Sequence, residues 1–136
     1  MSRVHVRVCA GGEHYALPVE GVLEVGALGE VTPVPGAPPA VIGVRNLKGQ
    51  VIPVADLATL FELDSAAERN SIVVTEAGGR RAGLAVESVI DVGPLPEPTE
   101  SPDAKHLVGA ALVDGELVGV VDLDSALDAL AGGAST

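Results

Sequence analysis

Hydrophobic and polar positions alternate strictly near the start of the chain. Residues 3–8, RVHVRV, follow a period of two, which is typical of an amphipathic β-strand. Gly11 and Gly12 then mark a turn into HYALPV, a second predicted strand. That strand is expected to end near Pro18 or to run along an edge, because proline cannot donate to a strand ladder. The pattern therefore predicts an N-terminal hairpin.

Two similar hydrophobic phrases lie about half a chain apart. Residues 43–57 read GVRNLKGQVIPVADL, and residues 109–123 read GAALVDGELVGVVDL. Each predicts two strands around a tight turn, at Lys48-Gly49 and at Asp114-Gly115, and the Asp-Gly pair is a strong hairpin signal. We expect both turn glycines to adopt positive φ.

A short amphipathic helix is predicted after each of these hairpins. Leucines and other apolar residues recur there at the three- and four-residue spacing of a helix face. Asp56 and Asp122 precede the two stripes, and their carboxylates can accept hydrogen bonds from the first free backbone N–H groups.

The repeat extends beyond the hairpins. Residues 16–25 and 83–92 are identical at five of ten positions at an offset of 67, and the hairpins repeat at an offset of 66. Nearly equal offsets in two separate segments indicate an internal duplication. We predict one domain over residues 1–136, with repeats at roughly 10–63 and 71–131, each a small twisted β-barrel with a short helix. Because a unit of about 65 residues is marginal by itself, the two are expected to pack together.

The two copies differ in their polar residues. Arg45, Asn46 and Lys48 stand where the second copy has alanine, leucine and aspartate. A duplicated scaffold needs its glycines, caps and apolar faces in both halves, so residues that are polar in one half are candidates for function. The alternative is that the second copy became apolar because its face is buried.

The charge, the cysteine content and the apolar runs of the chain limit its possible partners and location. The net charge of −11 argues against a nucleic-acid partner, because affinity for nucleic acid comes largely from Lys and Arg. From residue 82 onward there are ten acidic residues and one base, Lys105, and the other seven bases lie in the first 81 residues. A cationic region there could meet an acidic partner or could be ordinary solvated surface. Cys9 is the single cysteine, which fits a reducing compartment. No run approaches the roughly 20 apolar residues of a membrane span, so we expect a cytoplasmic protein without membrane insertion.

Signals for chemistry are weak. The histidines His5, His14 and His106 are far apart, and we interpret them as surface residues rather than metal ligands. Serines lack a nucleophile setting, and the glycine pairs lack a phosphate-binding fingerprint. We therefore predict no catalytic residue, no cofactor and no metal site, and we expect the chain not to be an enzyme.

Residues 43–57 and their surroundings resemble a known family. The phrase matches the pattern G-V-x-N-L-R-G-x-V-I-P-V-x-D-L of the CheW family, the adaptors of bacterial chemotaxis arrays, and YALPVEGVLEV and GLAVESVIDV also fit. The resemblance covers about residues 3 to 131. It implies a mainly all-β fold of two SH3-like five-stranded β-barrels packed side by side, with short helices.

The resemblance also implies a function and a site. CheW-like scaffolds bridge the cytoplasmic tips of membrane-bound chemoreceptors to the regulatory domain of the histidine kinase CheA in two-component signal transduction. The receptor hairpin is held in the groove between the barrels, whose family positions fall here on Val19, Val22, Glu24, Gly43, Lys48, Ile72, Gly83 and Val89. Lys48 replaces the usual arginine and loses its planar fork. We add Arg45 and Asn46 to the predicted site, with Arg45 compensating for Lys48.

Three functions are compatible with these observations. The first is a complete adaptor that binds receptor and kinase. The second is a specialised scaffold that binds receptors or other CheW-like domains without coupling the kinase. The third, a small-molecule-binding or catalytic barrel, requires convergent polar groups in a pocket, which the sequence does not indicate.

Overall fold

A computed structural model describes residues 3–63, 68–100 and 105–132. Within them, eleven strands and two α-helices occur, with a short 3₁₀ turn at Val19–Gly21. The first half contains β1 (Arg3–Ala10), β2 (Glu13–Pro18), β3 (Val22–Ala27), β4 (Val41–Leu47), β5 (Gln50–Asp56) and α1 (Leu57–Leu60). The second half contains β6 (Ser71–Ala77), β7 (Arg80–Val86), β8 (Ser88–Leu95), β9 (Thr99–Glu100), β10 (Leu107–Val113), β11 (Glu116–Val121) and α2 (Leu123–Gly132).

The strands form two sheets. One has the order β3-β6-β7-β5-β4, and the other has the order β8-β1-β2-β11-β10-β9, in which β9 contributes only two residues. The mainly all-β fold of two five-stranded SH3-like barrels is thereby confirmed. We call the sheet that contains β3 the first barrel and the sheet that contains β8 the second barrel.

The barrels do not coincide with the halves of the sequence. The β1-β2 hairpin joins the second barrel, where β2 runs parallel to β11, and the β6-β7 hairpin joins the first barrel, where β7 runs parallel to β5. Each barrel therefore takes a hairpin from the other half, rather than closing on itself as expected from the repeat. The boundaries of the repeats and of the domain stay predictions.

The exchange explains why residues 82–86 of β7 are apolar on both faces. In β7, Leu84 and Val86 face a large core between the two sheets, while Ala85 faces the interior of the first barrel. A strand covered on both sides reads as a continuous hydrophobic run. Each barrel also has its own small core, built around Val54 in the first and Val118 in the second.

The two repeated hairpins turn as predicted. Gly49 and Gly115 have φ of 88° and 81°. The residues before them, Lys48 and Asp114, both have φ of 50°, so two consecutive left-handed residues form each turn, as in a type I′ hairpin. Aspartate tolerates this conformation well, whereas lysine does so less readily.

Only one of the two predicted caps takes the expected form. Asp122 accepts a hydrogen bond from the backbone N–H of Ser125 at 3.2 Å, which confirms its capping role. Asp56 is buried and makes no such bond; its carboxylate instead accepts from the hydroxyl of Thr59 at 2.7 Å. The same carboxylate lies 3.5 Å from Nη1 of Arg69, so its charge is paired although the side chain is buried. In the described residues, no helix is long and apolar enough to cross a membrane.

Candidate functional site

The first barrel closes along a line between β3 and β4, which we call the seam (residues 24–32 opposite residues 43–48). Thr32 and Val44 exchange two backbone hydrogen bonds there, at 2.9 and 2.8 Å. Gly43 is buried beside them, and a Cβ at this position would overlap the carbonyl group of Thr32. A glycine is therefore needed at position 43 so that the two backbones can approach.

Arg45 occupies the middle of the seam. Its Nη1 donates to the carbonyl oxygens of Ala27 and Leu28, at 3.1 and 2.7 Å, where β3 ends. The side chain is half-buried. Its predicted role as a polar contact in the groove stays a prediction, while its observed bonds hold the end of β3 against β4.

The turn end of the seam carries the charged side chains. Lys48 Nζ lies 3.7 Å from Glu24 Oε1, and the Lys48 side chain is 84% exposed. An exposed pair of this kind contributes little to stability, so both charges stay available to a partner. Asn46 is exposed, but its Oδ1 accepts from the backbone N–H of Gly49 at 2.8 Å and therefore supports the turn.

The remaining predicted residues lie in three other places. Val19 is exposed just before β3. Val22 and Val89 are half-buried and pack against the central core from the two different barrels. Ile72 and Gly83 are buried inside the first barrel, where a Cβ on Gly83 would overlap the side chain of Ile72. These last two shape the barrel and lie beneath the surface, whereas Val19, Glu24 and Lys48 are open to solvent.

Two exposed apolar residues on β3 were not predicted. Leu23 and Val25 are 48% and 43% exposed, on either side of Glu24. Their signal in the sequence is the run VLEV, which lacks the polar alternation of a strand with one solvated face. Val19, Leu23 and Val25 are thus exposed apolar residues within a few positions of Glu24, and we call these three residues the β3 face.

Exposed apolar side chains also occur at the hairpin tips. Leu112 and Leu117 are directly opposite each other on β10 and β11, and they are 66% and 65% exposed. On the first barrel, Val51 in the equivalent hairpin is 62% exposed. Adjacent exposed leucines are typical of a protein contact.

Two ionisable side chains, Cys9 and Tyr15, have a pKa above the ordinary value. Burial raises the pKa of Cys9, and the Glu87 carboxylate, which accepts from its Sγ at 3.4 Å, raises that pKa further. Burial, with a smaller contribution from Glu13, raises the pKa of Tyr15 to about 12. Tyr15 stacks on Phe61 with ring centroids 4.5 Å apart, so it serves as a core residue.

The expectation that His5 is a surface residue is wrong. His5 is only 7% exposed, because β1 is covered on both faces, and its Nδ1 lies 3.0 Å from the carbonyl oxygen of Arg3. It lines a cavity of about 310 Å³ together with Arg3, Glu97 and several proline and valine side chains. Among the described residues, no group of three His, Cys, Asp or Glu side chains is arranged to hold a metal ion.

Comparison with known proteins identifies the family. The sequence profile of the CheW-like domain matches residues 5–131. The chain belongs to the CheW-like domain family. It is 28% identical over 125 residues to chemotaxis protein CheW of Rhizobium meliloti (strain 1021), covering 85% of this chain and 81% of that protein. It is 30% identical over 114 residues to protein FrzA of Myxococcus xanthus, covering 77% and 71% of the two chains.

A solved structure supports the same assignment. The crystal structure of the scaffolding protein TtCheW from Thermoanaerobacter tengcongensis superposes with a TM-score of 0.83 and 28% identity, covering 90% of this chain and 86% of that one. The resemblance inferred from GVRNLKGQVIPVADL is therefore confirmed, and with it the assignment of the chain to the adaptors of chemotaxis signalling. Within this CheW-like domain, the seam contains the first part of the family motif, residues 43–48. The exposed predicted residues Val19, Glu24 and Lys48 lie at the seam or on the β3 face.

Proposed function

We propose that this CheW-like domain is a non-enzymatic adaptor that couples the cytoplasmic tips of chemoreceptors to the regulatory domain of a CheA-type histidine kinase. The observation that carries the receptor half is that Val19, Leu23 and Val25 of the β3 face are exposed, while Glu24 on the same strand pairs with the exposed Lys48. An apolar strip flanked by charges suits the apolar face and polar edge of a partner helix. Its proposed place of action is the cytoplasm, at membrane-bound receptor arrays.

The kinase contact is proposed at the hairpin tips. Leu112 and Leu117 present adjacent apolar side chains on the second barrel, and Val51 presents one on the first. Exposed apolar residues at both barrels support end-to-end contacts with another double-barrel domain, either the kinase regulatory domain or a further CheW-like domain. Leu112 and Leu117 belong to the second barrel and the β3 face to the first, so these two leucines offer the kinase a surface other than that of the receptor, whereas Val51 lies opposite Asn46 in the hairpin that carries Lys48.

Two separate binding measurements test the proposal. The purified chain is titrated with a receptor tip fragment and, independently, with the kinase regulatory domain. Lys48→Glu is expected to weaken receptor binding selectively, because it places two carboxylates opposite each other at the seam. The double variant Leu112→Ser, Leu117→Ser is expected to weaken kinase binding selectively. Val34→Ser, at an exposed loop valine of 42% exposure, is the matched control that should change neither.

The outcomes separate the candidate functions. Binding of both partners, with stimulation of the kinase in a mixture of all three proteins, supports full coupling. Receptor binding without kinase binding supports the specialised scaffold that engages receptors or other CheW-like domains. If the wild-type chain bound neither partner, both adaptor functions would be contradicted.

A further inference from the structure

The two barrels close their sheets by different means. In the second barrel, β9 pairs with β10 through Thr99 and Ala110 and through Glu100 and Gly109. In the first barrel, the equivalent segment makes one isolated bridge, between Thr32 and Val44, and forms no strand. The duplicated fold thus provides an internal comparison, in which the first barrel has less backbone pairing at its seam.

Arg45 adds two hydrogen bonds at the seam of the first barrel that its counterpart in the repeat cannot make. Its counterpart in the repeat is Ala111, which is 2% exposed and packs in the core of the second barrel. At position 45 the longer side chain instead carries its guanidinium to the carbonyls of Ala27 and Leu28. The Arg45 side chain therefore ties the end of β3 to β4, in addition to the single backbone bridge.

The peptide groups around Leu28 are fixed from two directions. The backbone N–H of Leu28 donates to the carbonyl oxygen of Asn70 at 3.0 Å, and its carbonyl oxygen accepts from Arg45 at 2.7 Å. Gly29 lies against the guanidinium: a Cβ placed there would be 3.4 Å from Arg45 Cζ. A hydrogen bond from a charged donor to a carbonyl oxygen is stronger than one from a neutral donor. The bonds from Arg45 are therefore the strongest hydrogen bonds at the end of β3.

We propose that Arg45 is a positioning residue of the receptor groove, acting through the backbone of β3 rather than by contact with the receptor. The inference rests on the proposed function, because the strand it holds carries the β3 face. With Arg45 in place, the end of β3 is fixed against β4, and Leu23, Glu24 and Val25 are presented in one geometry. Without it, the seam depends on the Thr32–Val44 bridge and the weak Lys48–Glu24 pair. The partner then has to order the strand as it binds, which lowers affinity.

The test compares Arg45→Ala and Arg45→Lys with Arg80→Ala. Arg80→Ala is the control, because it removes the same positive charge at a position away from the seam. Arg80 forms an exposed ion pair with Asp128 at 3.1 Å. Arg45→Ala is expected to weaken binding of the receptor tip fragment about tenfold, which corresponds to one charge-assisted hydrogen bond left unmade. Binding of the kinase regulatory domain should stay within about twofold. Arg45→Lys, which keeps one donor, should be intermediate and keeps the test usable if the alanine variant does not fold.

Two further readouts distinguish positioning from direct contact. Amide hydrogen exchange at Leu28, Thr32 and Val44 should accelerate in Arg45→Ala, because these N–H groups bond across or beside the seam. The loss of receptor affinity should be the same at low and at high salt, since no charge pair with the receptor is removed. Unchanged exchange together with a salt-dependent loss would show that Arg45 contacts the receptor directly and would overturn the proposal.

The test also separates this inference from the proposed function. If the wild-type chain binds the receptor fragment and Arg45→Ala binds it equally well, the inference fails and the adaptor function stands. If the wild-type chain binds no receptor fragment, the adaptor function fails for the receptor, and the inference about its groove falls with it. Arg80→Ala losing as much affinity as Arg45→Ala would show a general charge effect and would also overturn the inference.

Discussion

Replacing Gly43 with alanine is expected to open the seam of the first barrel. A methyl group at this buried position would overlap the carbonyl of Thr32, and a backbone carbonyl cannot rotate away as the end of a side chain can. Thr32 must therefore withdraw from Val44, and the two backbone hydrogen bonds between them, at 2.9 and 2.8 Å, are lost.

The magnitude follows from those two bonds. Each backbone hydrogen bond contributes about 0.5–1.5 kcal/mol net to stability, so Gly43→Ala should lower the free energy of unfolding by about 1–3 kcal/mol. For a chain of this length, each kcal/mol corresponds to a Tm change of about 3–4 °C, which gives a loss of about 3–12 °C. This is a substantial fraction of a typical domain stability.

Urea unfolding and thermal unfolding measure the effect. Gly26→Ala is the matched control on β3, because a Cβ at Gly26 meets nothing within 4 Å. Gly83→Ala provides an intermediate case: its Cβ meets the end of the Ile72 side chain, which can change rotamer. The expected order of destabilisation is therefore Gly43→Ala, then Gly83→Ala, then Gly26→Ala.

A different order would refute the reasoning. If Gly43→Ala unfolded at the same urea concentration as Gly26→Ala, the approach of Thr32 to Gly43 would not be a determinant of stability. Equal destabilisation by Gly43→Ala and Gly83→Ala would show that the rigidity of the opposing group, backbone or side chain, does not decide the cost.

Two further predictions concern the turn and the thiol. Lys48→Asn should raise the free energy of unfolding by about 0.5–1 kcal/mol, because an Asn-Gly pair suits the φ of 50° at this position. The same variant should bind the receptor more weakly, because the Lys48 charge is lost. A fall in Tm would contradict the expected gain in stability. Cys9 should react with a disulfide reagent at pH 8 more slowly than a free thiol, since its raised pKa leaves less thiolate, and the rate should climb with pH. Glu87→Gln should accelerate the reaction by lowering that pKa; an unchanged rate would show that Glu87 has no influence on the thiol.

Local features of this protein are determined by the sequence itself. The two repeated hairpins, their positive-φ glycines and the helices after them follow from residues that are neighbours in the chain, and turn geometry depends on those residues directly. The family could likewise be inferred from the motif in residues 43–57, because the motif combines the glycines and apolar positions that this turn and strand pair require. Of the site, Glu24 and Lys48 could be named from the resemblance, and both are exposed at the seam.

Tertiary structure alone decided which strands pair and what Arg45 does. The exchange of the β1-β2 and β6-β7 hairpins depends on parallel pairing between strands that are far apart in the chain, β2 with β11 and β7 with β5. The sequence cannot show this exchange, because the strand pattern of each repeat is the same whether its hairpin pairs within that repeat or with the other one. The burial of His5 follows from that exchange, because within the second barrel His5 lines a cavity with Val108 and Val120 of the other half of the chain. Arg45 looked like a free polar residue because its partners are backbone carbonyls, and every residue carries one. Only the folded structure shows that the carbonyl oxygens of Ala27 and Leu28 lie within reach of Arg45.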